Sequence, residues 1–234
     1  AALEAGCHVL CEKPFVYETG ATRDDVLKRA RELVELASGR KLRLGVCTQY
    51  SAGATILKRL LTEWAGQCKI SAYCGHLESP AKGRSPDPVR VWVDLSPHPI
   101  SVFLHLFREW EIDWDTVKAH FEGYTAEAKF IARQGTDELR VKLITRNALE
   151  PPLNVREFIL NDFVFRVEGE RDENGVYRAR IDSGDTSCPC DDFMRLLIRE
   201  FISGHVITDG ETAIRNLDIM MRIIELSRNN NTSC

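Results

Sequence analysis

The segment Ala5-Gly6-Cys7-His8-Val9-Leu10-Cys11-Glu12-Lys13-Pro14 decides the fold class of this chain. Its centre, His8 to Cys11, is a short apolar run typical of a buried parallel strand. Thr22 to Ser38 carries apolar residues at helical spacing, and Leu42 to Cys47 is a second apolar run. A strand, a helix and a strand in close succession form a βαβ unit, which predicts a parallel sheet.

The chain opens on a pattern typical of the end of a helix, Ala1 to Ala5, closed by Gly6. We therefore expect an upstream segment to be missing. The sequence has no G-x-G-x-x-G motif after a strand, so we expect the loop that holds a dinucleotide pyrophosphate to lie in that segment.

The pattern changes after Gln49. Helices are predicted over 55–64 and from Ser96 to about Arg108, with a Pro/Gly/Ser-rich loop over 81–89 between them. Strand-like segments are 70–77, 116–124, 126–133, 139–145, 155–160, 163–168 and 176–181, with a turn over 172–175 and closing helices over 191–202 and 211–227. Short connections between consecutive strands predict an antiparallel or mixed sheet, covered on one face by the closing helices.

Composition is that of a folded globular protein: 234 residues, 44% hydrophobic and 28% charged. A net charge of -4 without a basic run argues against nucleic-acid binding. The longest apolar runs, such as 100–107, are too short to span a bilayer, and the N-terminus lacks the pattern of a signal peptide. We expect a cytoplasmic protein without a membrane partner.

Eight cysteines are spread along the chain, and we expect reduced thiols and no structural metal. Cys188-Pro189-Cys190 is a close pair, but its spacing is not that of a zinc site. Asn231-Thr232-Ser233 matches a glycosylation acceptor, yet it is more simply a polar C-terminus.

Three motifs carry a family resemblance. Residues 5–14 resemble the AGKHVxxEKP signature of the Gfo/Idh/MocA oxidoreductases, Asp94-Leu95-Ser96-Pro97-His98 resembles their DxGxH motif, and Thr208-Asp209-Gly210 before a helix resembles their C-terminal ending. The resemblance implies that 1–48 is the C-terminal part of a Rossmann domain and that 49–234 is an α+β domain for substrate binding and oligomerisation. It also implies a cis peptide bond between Lys13 and Pro14.

Lys13 is the first candidate catalytic residue, because the carboxyl end of a parallel strand is where open α/β sheets bind ligands. A lysine there can bind a substrate hydroxyl and stabilise the developing alkoxide, while Pro14 fixes the backbone. A solvated loop lysine beside a turn proline is the structural alternative. The resemblance places the cofactor against Glu12, Lys13, Pro14 and Gln49.

Asp94 and His98 complete the candidate catalytic set. Ser96 is the predicted N-cap of a helix whose first residue is Pro97, which leaves Asp94 in the preceding loop. His98 is the expected general base, because imidazole titrates near neutral pH, and Asp94 would orient the substrate or assist the base. The alternative is a structural aspartate and a structural histidine at a helix entrance.

Tyr50 and His76 are further candidates for substrate binding. Gln49-Tyr50 stands where the family commonly has an arginine and an aromatic residue, so we expect a neutral or weakly polar pocket. Tyr50 can pack on a nicotinamide or a sugar ring, or be an ordinary half-buried tyrosine. His76 is expected to line the same cleft from a strand.

The resulting hypothesis is an oxidoreductase that uses NAD or NADP and acts on a secondary alcohol of a sugar or polyol, as a dimer or tetramer formed through the C-terminal sheet. The alternative is a non-catalytic sugar-binding or dimerisation module derived from this family.

Overall fold

The computed structural model describes residues 1–67, 69–151 and 153–231. Its elements are β1 (Val9–Glu12), α1 (Arg23–Gly39), β2 (Leu44–Cys47), a 3-10 helix (Gln49–Gly53), α2 (Ala54–Ala65), β3 (Ala72–Pro80), α3 (Pro88–Leu95), α4 (Pro97–Leu106), β4 (Glu111–Glu122), β5 (Thr125–Gln134), β6 (Asp137–Ala148), β7 (Val155–Leu160), β8 (Phe163–Arg171), β9 (Tyr177–Ser183), β10 (Thr186–Cys190), α5 (Phe193–Ser203) and α6 (Gly210–Asn231).

The βαβ unit is present as predicted. β1 and β2 pair in parallel, from Val9 opposite Leu44 to Glu12 opposite Cys47. α1 begins after Thr22, whose hydroxyl accepts a hydrogen bond from the backbone N–H of Asp25 in a capping box. Because the strands are parallel, the residues that follow Glu12 and Cys47 meet at one edge of this small sheet.

The larger sheet has eight strands in the order β10-β9-β8-β7-β3-β6-β5-β4. β3 and β6 are parallel and the other neighbours are antiparallel, which confirms the predicted mixed sheet. The predicted turn over 172–175 joins β8 to β9, with the Asp172 N–H donating to the Val176 carbonyl. β10 was not predicted. It is an edge strand, and its Pro189 is compatible with this position because a residue there can lack a backbone N–H for pairing.

The two faces of this sheet differ. α3, α4 and α6 pack on what we call the covered face, where Tyr73 and Leu77 of β3 are buried. Gly75 lies between them, and a Cβ there would come within 2.4 Å of the Cβ of Pro99. The other side, which we call the open face, carries charged side chains such as that of Arg166, 63% exposed.

One hydrophobic core runs through both parts of the chain. Val26 of α1 and Leu57 of α2 belong to the same buried cluster as Leu143 of β6. The division at residue 48 therefore stays a prediction. Within residues 1–67, 69–151 and 153–231, no helix combines the length and apolar character needed to cross a membrane. Thr232 and Ser233 of the glycosylation motif lie outside the described residues.

Candidate active site

Lys13 lies directly after β1 and contacts Asp94. Its Nζ donates to the Asp94 Oδ1 over 2.6 Å and also to the Asp94 carbonyl oxygen. The Lys13 side chain is 15% exposed and that of Asp94 is 46% exposed, so the pair lies at the border between core and solvent. The Lys13-Pro14 peptide bond is cis, which confirms the prediction.

Asp94 lies in a different element from the one predicted. It belongs to the last turn of α3 (Pro88–Leu95), which Asp87 caps by accepting a hydrogen bond from the Arg90 N–H, and not to a loop. The sequence analysis predicted a loop over 81–89 and no helix before Ser96, but Pro88 suits a first helical position. Ser96 precedes α4 as predicted, but its hydroxyl makes no capping bond.

The pKa of the Asp94 carboxyl is below its ordinary value. Burial opposes ionisation, but the hydrogen bond and positive charge of Lys13 outweigh burial. The carboxylate therefore stays charged and holds the lysine in place.

His98 is the second residue of α4 and lies close to Tyr50. The two rings meet edge to face, with centroids 5.2 Å apart. The His98 Nδ1 is enclosed and has no hydrogen-bond partner among the described residues. Burial, followed by the positive charges of Lys13 and Arg156, lowers the pKa of His98 to about 3, while Asp94 acts in the opposite direction. The imidazole is therefore neutral at physiological pH.

A cleft of about 450 Å³ lies on the other side of Tyr50; Lys13, Asp94 and His98 are not among the described residues that line it. Gln49 and Tyr50 line it from the 3-10 helix, and Arg156 lines it from β7. The Arg156 Nε donates to the Tyr50 hydroxyl over 2.8 Å. Further lining comes from β8, β9 and the start of α5, including Glu168, Tyr177, Asp192 and Phe193.

The expectation of a neutral or weakly polar pocket is wrong. It rested on Gln49, where the family commonly has an arginine, but Arg156 brings a guanidinium to the same place from over a hundred residues further along. A signal was available: alternation along β7 puts Arg156 on the same face as Phe158 and Leu160, both of which are buried. A charged side chain on the buried face of a strand needs a structural or functional explanation.

His76 is not part of this cluster. Its neighbour Gly75 is on the covered face, against Pro99, so the alternation of the strand puts His76 on the open face. There its Nε2 lies 2.9 Å from Glu78 and its Nδ1 lies 3.3 Å from Glu157. The expectation that His76 lines the cleft is therefore wrong.

The remaining predicted cofactor residues lie at the edge where β1 and β2 end. Glu12 is exposed at the last position of β1. Lys13 and Pro14 border a narrow gap of about 10 Å³, closed on the other side by Thr48 and Asn216. The structure thus brings Lys13 and Pro14 close to the segment that carries Gln49.

Four buried hydroxyl groups fix the segment that carries Gln49 and Tyr50. The Thr48 hydroxyl lies 2.8 Å from those of Ser101 and Thr208, and the Ser51 hydroxyl lies 3.0 Å from that of Thr208. They tie the end of β2 to α4 and to the turn before α6. Sequence patterns gave no sign of this cluster, because its members are far apart along the chain.

The six described cysteines form no disulfide with one another, and reduced thiols stay a prediction. Cys188 and Cys190 come closest, with their sulfur atoms 4.0 Å apart. Across the described ranges, no group of three or more His, Cys, Asp or Glu side chains is arranged to hold a metal ion.

Several solved structures with a similar fold are described as dehydrogenases or oxidoreductases. UDP-N-acetylglucosamine 3-dehydrogenase GnnA from Acidithiobacillus ferrooxidans is 21% identical over 97% of this chain and 73% of its own, with a TM-score of 0.68. An inositol dehydrogenase homolog from Azotobacter vinelandii, complexed with NADH and myo-inositol, is 14% identical over 97% of this chain and 71% of its own. Its TM-score is also 0.68. This chain has their fold.

A third structure agrees. An oxidoreductase from Agrobacterium radiobacter, in complex with NAD+, L-tartaric acid and magnesium, is 12% identical over 98% of this chain and 73% of its own, with a TM-score of 0.64. No protein-family model and no curated protein sequence matches the chain. At these identities the likeness establishes the α/β architecture with its large, mostly antiparallel sheet.

Proposed function

We propose that this chain forms the substrate side of an oxidoreductase that moves a hydride between NAD or NADP and a secondary alcohol of a sugar or polyol. The observation that carries the proposal is the contact of Lys13 with Asp94 beside His98, at the edge where two parallel strands end. The solved structures that share the fold include dehydrogenases of sugars and polyols, which supports the substrate class.

Lys13 is the group that polarises the alcohol. An ammonium has three donors, and two of those of Lys13 are used by Asp94. The third remains for a substrate hydroxyl, where the positive charge stabilises the alkoxide that develops as the carbon loses its hydride. Asp94 is the positioning residue that holds Nζ in place.

His98 receives the hydroxyl proton. Its imidazole is neutral, so a lone pair is available. The Nδ1 is enclosed, which leaves Nε2 as the atom that meets the substrate. Burial, followed by the positive charges of Lys13 and Arg156, makes the imidazolium costly, and the proton is therefore expected to pass on to solvent after transfer.

We expect the nicotinamide end of a dinucleotide to bind at the carboxyl ends of β1 and β2, the position at which such sheets bind cofactors. Lys13 and Pro14 follow β1 there, and Gln49 follows β2. When bound, the dinucleotide supplies the hydride carrier. Solved structures with this fold contain NADH or NAD+, which supports NAD in particular.

Calorimetric titration with NADH and NADPH tests the proposal. The full-length polypeptide that the gene encodes should bind NADH or NADPH, and Lys13→Ala should weaken this binding. Lys142→Ala is the matched control, because Lys142 pairs with Glu127 on the open face. Absence of binding to either dinucleotide, together with binding of a sugar alone, would favour the non-catalytic module.

We further propose that two copies associate through the open face, to give a dimer or a tetramer. Ile131, Ile144 and Ile159 are partly exposed there, among paired charges. Apolar side chains on an uncovered sheet face favour a self-complementary interface. Sedimentation should show an oligomer that Ile144→Glu dissociates; a wild-type monomer at micromolar concentration would contradict this.

A further inference from the structure

Arg156 is a partly buried guanidinium without a carboxylate partner. Among the described residues, no carboxylate oxygen lies within 4.0 Å of its nitrogen atoms, whereas Arg166 on the next strand pairs with Glu157 over 2.8 Å. Withdrawing a charge from water costs free energy unless an opposite charge offsets it. A charge left without a partner at the wall of a cleft indicates a ligand that supplies one.

The donors of Arg156 show where such a ligand would bind. Its Nε donates to the Tyr50 hydroxyl, and its Nη1 donates to the carbonyl oxygens of Val155 and Glu78. These acceptors are neutral, so they fix the side chain without cancelling its charge. The Nη2 makes no hydrogen bond to any described residue, and it is not among the enclosed polar atoms. Its two N–H donors are therefore unpaired, on a residue that lines the cleft.

We propose that Arg156 binds a carboxylate of the substrate, which makes the substrate class a sugar acid or another polyhydroxy acid. This inference rests on the proposed oxidoreductase function and narrows it. A guanidinium suits a carboxylate because its donors lie in one plane and it stays charged at all working pH values.

The other charged residues that line the cleft are acidic, so an anion is favoured only directly beside Arg156. Glu168 and Asp192 also line it, but neither lies within 4.0 Å of Arg156. Asp192 is occupied as the N-cap of α5, where it accepts a hydrogen bond from the Arg195 N–H over 2.8 Å. The Nη2 of Arg156 is thus available to a ligand.

An anion on Arg156 would also improve the base. Arg156 is one of the two positive charges that lower the pKa of His98, and the other is Lys13. Asp94 raises the pKa of His98, and the neutral Tyr50 ring packs against it. A bound carboxylate cancels the charge of Arg156, so the pKa of His98 rises towards its ordinary value. An acidic substrate would therefore strengthen the group that takes its proton.

Matched acids and neutral compounds test this proposal. The probes are D-glucuronate with D-glucuronamide, D-gluconate with D-sorbitol, and L-tartrate with L-threitol, each titrated calorimetrically into the polypeptide as its gene encodes it, in the presence of NADH. In at least one pair the acid should bind about 10- to 100-fold more tightly, which is the range of a charge-assisted hydrogen bond. Arg156→Met should remove the preference, and Arg166→Met should retain it.

Two further results separate this inference from the proposed function. If an acid binds through Arg156 but no probe is oxidised with NAD+ or NADP+, the carboxylate site stands and hydride transfer fails. The carboxylate site is overturned if neutral polyols are oxidised and no acid binds more tightly than its neutral counterpart. It is also overturned if Arg156→Met still binds the acid more tightly than the neutral compound. Arg156→Lys guards against misfolding, because it keeps the charge and should keep part of the preference while its thermal unfolding stays unchanged.

Discussion

The two faces of the large sheet hold their charges differently. On the open face, charged side chains pair with one another: Glu127 lies within 2.9 Å of both Lys129 and Lys142, and Glu157 within 3.3 Å of both His76 and Arg166. On the covered face, Arg156 has only neutral acceptors.

The difference separates charges that are paired within the open face from a charge that, in our proposal, is paired by a ligand. Exposed pairs contribute little to stability, since water screens them and ordering long side chains costs entropy. A partly buried unpaired cation lowers stability and is retained where function requires it. The predictions below test this contrast.

The largest effect is expected for Lys13. Lys13→Met should lower kcat for hydride transfer about 10²- to 10³-fold, the usual effect of removing one donor to a developing oxyanion. Lys142→Met, on the open face, should change kcat less than twofold. Steady-state assays with the best polyol or sugar acid measure both; equal effects would show that Lys13 has no special role.

Substitutions at two neighbouring residues of β3, one on each face, should change the free energy of unfolding by different amounts. Gly75→Ala should lower the free energy of unfolding by about 1–3 kcal/mol, because its Cβ would collide with Pro99 on the covered face. His76→Ala, on the open face, should cost less than about 1 kcal/mol. Urea denaturation compares the two, and a larger loss for His76→Ala would reverse our assignment of faces.

The pKa of His98 predicts a pH dependence of stability. A histidine whose pKa falls from 6.5 unfolded to about 3 folded binds its proton more readily in the unfolded chain. Stability is therefore complete above pH 6.5 and is lost as pH falls towards 3, by at most about 1.4 kcal/mol per pH unit. His98→Asn should flatten this slope, while the exposed His120→Asn should not; an unchanged slope in His98→Asn would refute the assignment.

The smallest effect concerns an open-face ion pair. Arg166→Met removes the contact with Glu157 and should lower the free energy of unfolding by less than about 1 kcal/mol. Salt at 1 M should reduce the difference further. A loss above about 2 kcal/mol would mean that this pair is not exposed to solvent, as it would be if it lay inside the proposed interface between copies.

The sequence predicted what depends on local patterns. Periodicity predicted the βαβ unit and the strands of the large sheet other than β10, and the motifs named Lys13 and Asp94 as candidates without predicting that they are in contact. Asp94 was placed in a loop because prolines on both sides hid the end of α3.

The features that the sequence did not predict depend on which strands pair and on which face of the sheet a side chain lies. His76 was assigned to the cleft although the face of β3 was not known, and Arg156 was missed because it meets Tyr50 only after β7 pairs with β3. The hydroxyl cluster around Thr48 likewise forms only when β2, α4 and the turn before α6 come together.

Deuterium transfer tests the central claim most directly. The polypeptide as its gene encodes it would be incubated with NAD+ or NADP+ and with sugars, polyols and sugar acids deuterated at their secondary carbinol carbons, and the nicotinamide product would be analysed by mass spectrometry. We predict a reduced cofactor heavier by one deuterium, formed by the wild type and by Lys142→Met but lost in Lys13→Met. Absence of transfer from every compound, in a protein that binds a sugar or sugar acid without either cofactor, would contradict the oxidoreductase and leave a binding module.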